Sequence, residues 1–214
     1  MTSRRFDRRI YRDPCPSAAM IHALGPINRH FVLPGLLGLT DIDFPAVDVE
    51  RLRSAVNPGT AAFLGPNHPE FFTDWMLDKE ISRRVSPRMA HWAAYDIVNQ
   101  NPIAQWFWLR NNLIANAPGG GGKEYSVRWA IAGHGVLLHP EGTATWQGDR
   151  VSPLVPGIVD MAWQCRREIT ATKHPRPVFV VPVVWKLHFV RDVGDGLHHE
   201  MSSIERALRL PPGR

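Results

Sequence analysis

The sequence predicts an α/β fold, a single domain in which a mixed β-sheet is flanked by helices. Three short apolar runs, Thr60-Ala61-Ala62-Phe63-Leu64, Gly135-Val136-Leu137-Leu138 and Val178–Trp185, have the length and bulk expected of buried strands. Stretches with helical spacing of apolar residues lie between them, and strands that alternate with helices pack as α/β layers. The 214 residues suit one domain, and a hydrophobic fraction of 44% is enough to build its core. That domain is expected over residues 23 to 214. Residues 1 to 22 read as a basic N-terminal arm carrying Arg4, Arg5, Arg8, Arg9 and Arg12.

Taken in order, Pro26, Pro34, Gly35 and Gly38 argue against a long uninterrupted helix over residues 23 to 40. Val47 to Val56 reads as a short helix closed by the turn Asn57-Pro58-Gly59. After the first strand and its loop comes a helix over Trp75 to Arg84. A further helix is expected from Pro87 through Met89, Trp92, Ala93 and Ile97. Trp106, Phe107 and Trp108 are adjacent and cannot all face one core, so either one meets a lipid interface or two are core and one is surface. Pro118 to Lys123 is glycine-rich but lacks the Gly-Lys-Ser/Thr ending of a phosphate loop, because Glu124 follows Lys123; it reads as a hinge or loop tip. Helices follow over Glu124 to Ala132 and through Ile158, Met161, Ala162 and Cys165, with a last helical stretch from Ile204 to Leu210. Pro182 marks the Val178 run as an edge or irregular strand.

The net charge of +5 favours anionic partners without choosing among them. No nucleic-acid-binding motif joins the arginines, so no nucleic-acid partner is expected. No run approaches the roughly 18 apolar residues needed to span a bilayer, and no signal peptide is visible. Cys15 and Cys165 lie far apart and read as free thiols in a reducing compartment. His188, His198 and His199 match no metal-ligand spacing, so neither metal nor cofactor is expected.

Two loops carry the chemistry. Gly65 to Asp74 connects a strand to a helix, where α/β proteins hold reacting groups, and contains His68 and Asp74. Histidine takes up and releases a proton near neutral pH, and a nearby aspartate fixes its tautomer. The bland alternative is a solvated loop histidine and a helix-capping aspartate. Five residues separate the pair, which on one helix would point it to different sides. With Thr73 as cap and His68 still in the loop, the pair meets; Glu70 and Asp78 are alternative partners. The second loop, His139-Pro140-Glu141-Gly142-Thr143, follows the Gly135 strand.

The order of these blocks resembles the glycerolipid acyltransferases of the lysophosphatidic acid acyltransferase type. Asn67-His68 with Asp74 matches that family's opening Asn-His and Asp. His139-Pro140-Glu141-Gly142-Thr143-Ala144 stands where the family has Phe-Pro-Glu-Gly-Thr-Arg. Gly157 opens the next helix, and Val181-Pro182-Val183 matches a later strand. The resemblance covers about residues 60 to 185 and implies a glycerolipid acyltransferase-like fold. It implies His68 as general base, Asp74 as its orienting partner, and Glu141, Gly142 and Thr143 around the acceptor headgroup. The implied donor is acyl-CoA or acyl carrier protein and the acceptor a lysophospholipid-like alcohol, with the protein peripheral to the membrane on the cytoplasmic side. Two arginines that the family places at the acceptor phosphate are missing, since Ala144 replaces one and Leu113 to Asn116 contains none. Lys123, Arg128 or Arg150 would have to substitute. These departures motivate a second possibility, a non-catalytic lipid- or membrane-binding protein on the same scaffold.

Overall fold

The computed structural model describes residues 11–68, 74–144, 151–172, 174–188, 190 and 192–209. The chain divides into two compact units, Met1–Val184 and Trp185–Arg214.

In the first unit, five strands among the described residues form one sheet. They are β1 (Ala61–Pro66), β2 (Ala90–Ala94), β3 (Leu113–Asn116), β4 (Val136–Leu137) and β5 (Val178–Val183), in the order β3-β2-β4-β1-β5. Every pairing is parallel, so the sheet is not the mixed one expected. The reason is that helices lie between successive strands and return the chain to the same edge. β1 is buried along nearly its whole length and pairs with β4 and β5. Pro182 sits in β5, an outer strand, where a missing N–H is tolerated.

The pleat of β1 divides the core. Ala61 and Phe63 face α6 (Gly122–Ile131) and α7 (Gly157–Thr170), packing with Tyr125, Ala130, Met161 and Cys165. Ala62 and Leu64 face α2 (Ala46–Ala55) and α3 (Asp74–Val85), packing with Leu52, Val56 and Ile81. Alternate residues thus serve opposite layers, as the two-residue period of a strand requires.

Several expectations change. The helix expected from Pro87 is instead β2 followed by the single turn α4 (Tyr95–Val98). Its alanines favour a helix locally, but the segment lies between β4 and β3, where ladder bonds and burial decide. Over residues 18 to 36 the backbone remains helical despite its prolines. Helix α1 (Ala18–Ile27) passes directly into a π-helical stretch, Asn28–Leu36.

The arm expected over residues 1 to 22 is packed from Tyr11 onward. The N–H groups of Cys15 and Ser17 bond Leu109 O and Arg110 O at the end of α5 (Pro102–Arg110), and Asp13 pairs with Arg128. The glycine-rich turn from Pro118 to Lys123, read as a hinge, is the seat for Tyr11. A Cβ on Gly120 would stand 2.9 Å from the tyrosine ring. Of the three adjacent aromatics on α5, Trp108 packs edge-on to Trp75, whereas Trp106 is exposed. Both cysteines are free.

The second unit carries α8 (Gly194–Ala207), longer than the stretch expected and with no buried residue. Among the described residues, no helix is long and apolar enough to cross a membrane.

Candidate active site

Adjacent parallel strands bring the two loops together. β1 and β4 pair Phe63 with Val136 and Leu64 with Leu137, and Leu138 N–H continues the ladder onto Leu64 O. The chain leaving β1 at Asn67-His68 therefore meets the chain leaving β4 at His139-Pro140-Glu141. Ligands of parallel sheets bind at this carboxyl edge.

His68 follows β1, and Asp74 is the first residue of α3. The His68 Nδ1 is hydrogen-bonded to Asp74 Oδ2. The Thr73 cap and the alternative partner Glu70 lie outside the described residues. Asp78 is not a partner of His68; one turn further along α3, it accepts from His139 Nε2 at 2.9 Å. Asp74 and Asp78, four residues apart, thus serve two histidines from one face of the helix. The His68 and His139 rings stack with centroids 4.3 Å apart and planes 21° from parallel.

Glu141 is buried and both its oxygens are committed. Oε1 accepts the His68 backbone N–H at 2.6 Å and Oε2 accepts the Ser152 N–H at 2.8 Å. Its carboxylate therefore fixes the backbone of His68 and the entry to α7. Gly142 makes the turn with φ +74°, a conformation cheap only for glycine, and Thr143 is exposed beyond it. Of the basic residues considered for an acceptor phosphate, Arg128 pairs with Asp13 at 2.7 Å, Lys123 is exposed on α6, and Arg150 lies outside the described residues.

Burial raises the pKa of Asp74, opposed by the hydrogen bond from His68 and the charge of His139. Burial would discharge His139, but the Asp78 and Asp74 carboxylates and the Asn67 carbonyl together outweigh it and lift the ring to about 9. Beneath this pair lie two buried bases. The Lys79 ammonium on α3 is brought down to about 8 by burial, and His91 on β2 is held well below its ordinary value by burial, Lys79 and His139. Neither ring nitrogen of His91 has a partner among the described residues.

His68, Asp74 and His139 bring possible ligand atoms within 4.8 Å of one another. The set does not suit a cation. His139 Nδ1 faces the carbonyl oxygens of Pro66 and Asn67, at 3.2 and 3.0 Å, and Nε2 faces Asp78. A proton on each nitrogen, which would satisfy these three oxygens, leaves no lone pair for a metal.

Lys79, His91 and His139 are not site candidates from the sequence, and Asp78 is one only as an alternative partner of His68. The four-residue spacing of the two aspartates is a signal for the second pair, as is a titratable residue at 139 beside the Glu141 turn. No family model matches the chain, and no curated protein matches it.

Proposed function

We propose that the protein is an O-acyltransferase, moving a fatty acyl group from acyl-CoA or acyl carrier protein to a hydroxyl of a lysophospholipid-like acceptor. One observation carries this reading: His68 is held at its ring by Asp74 and at its backbone by Glu141, joining two separate blocks around one imidazole. With Nδ1 engaged, Nε2 is the nitrogen that exchanges protons. The acceptor hydroxyl gives its proton to Nε2 as its oxygen attacks the thioester carbonyl carbon. The C–S bond then breaks, and the leaving thiolate takes that proton to become a free thiol. No acyl-enzyme forms.

Exposed apolar residues at the rim support a lipid substrate met at the cytoplasmic membrane face. Val155 is exposed beside the Glu141 turn, where its N–H bonds Pro140 O at 2.8 Å, and Leu154 before it and Val159 and Trp163 on α7 are exposed as well. The lack of an arginine after Thr143 leaves the acceptor broader than a phosphomonoester.

Purified protein incubated with acyl-CoA or acyl carrier protein and a panel of lysolipids should release free thiol and form a new ester. Absence of turnover with every pair, together with vesicle binding that survives His68→Ala, would instead favour the non-catalytic lipid-binding protein.

A further inference from the structure

Four charged or titratable residues converge on one imidazole that the acyl-transfer chemistry above does not use. The His139 ring lies face to face with His68, and both of its nitrogens point at oxygens that only accept: Asp78 on one side, Pro66 and Asn67 carbonyls on the other. Satisfying all of them requires a proton on each nitrogen. From α3 the ring is faced by Asp78 and Asp74, from the end of β1 by His68, and from β2 by His91. Lys79 acts in turn on His91. Glu141, on the ring's own turn, spends both oxygens on backbone N–H groups.

We propose that His139 is a positioning residue held as an imidazolium, which fixes the plane of the His68 ring by stacking and keeps Asp74 ionised as its partner. This rests on the base role of His68. An ionised Asp74 is what holds a proton on His68 Nδ1 and leaves Nε2 open to the acceptor. Burial acts to protonate Asp74, and the positive ring beside it acts the other way. Asp78 supplies the counter-charge that keeps the His139 ring positive, so the two histidine–aspartate pairs form one unit across β1, α3 and β4.

The test has two arms. In the whole protein labelled with ¹⁵N-histidine, ring ¹⁵N shifts read the protonation of each imidazole, with His139→Phe assigning the signal. Both His139 nitrogens should be protonated at neutral pH and stay so until about pH 9. A neutral tautomer at neutral pH overturns the proposal.

The second arm uses His139→Phe, which keeps a flat ring in the stack without charge. Its acid limb of kcat/KM should move to higher pH, with kcat lower by about ten-fold at neutral pH and KM for the donor little changed. A folded variant whose acid limb coincides with that of the parent overturns the role for charge. Transfer with a neutral His139 keeps the base role of His68 and defeats this inference. A doubly protonated His139 in a protein that transfers nothing defeats the acyl-transfer reading and upholds the imidazolium.

Discussion

Replacing Glu141 with Gln removes one acceptor while keeping the shape of the side chain. The carboxylate accepts two backbone N–H groups, from His68 at 2.6 Å and Ser152 at 2.8 Å, at a buried position. An amide has one oxygen, so one of those N–H groups must face an NH₂ that cannot accept. A lost charge-assisted bond of this kind costs about 1.5–3 kcal/mol. For a domain of this size that corresponds to a fall in Tm of about 3–12 °C. Urea unfolding followed by circular dichroism should show the midpoint falling with the slope unchanged. Thiol release should fall further than the loss of folded protein explains, because one of the two N–H groups that share the side chain belongs to His68 itself. Glu141→Gln with the parent's unfolding midpoint and turnover would refute the idea that this carboxylate fixes the His68 backbone.

Three further outcomes follow from the geometry. Asp74→Asn should lower kcat by about 10²–10⁴-fold, because an amide can hold the wrong tautomer of His68; a steady-state assay with unchanged kcat would contradict the pairing. Lys79→Met should stabilise the protein at neutral pH. The folded-state pKa of Lys79 lies near 8 against 10.5 unfolded, so the unfolded chain binds more protons between those values and stability rises with pH across that window. The neutral-pH penalty is about 3 kcal/mol. Denaturant midpoints measured from pH 7 to 10.5 should therefore rise in the parent relative to the variant. Glu80→Gln should destabilise by about 1.5–3 kcal/mol, since buried Glu80 accepts from both Arg83 and Arg84, whose guanidinium groups stay partly exposed; calorimetry reads it.

Local signals made β1, α3, α7 and β5 legible, because their apolar periods agree with where they pack. β2 was hidden by its own composition: Ala90, Ala93 and Ala94 suggest a helix until neighbouring strands on both sides bury them. β3 is only four residues long, too short for a period to show. The parallel sheet required knowing that β1 lies between β4 and β5, contacts far apart in sequence. At the site, the contact between His68 and Asp74 is the one the sequence suggests, a loop imidazole meeting a carboxylate at the start of the next helix. The His68–His139 stack was not legible, since it depends on the register of β1 against β4. Asp78 pairs with His139 and not His68 for the same reason.

The most direct measurement compares thiol release by the parent protein and by His68→Ala, each shown to be folded, with an acyl thioester and a lysolipid that the parent uses. A loss of about 10²–10⁴-fold in kcat is expected from removing the general base. A folded His68→Ala protein that transfers acyl groups at the parental rate would contradict the account.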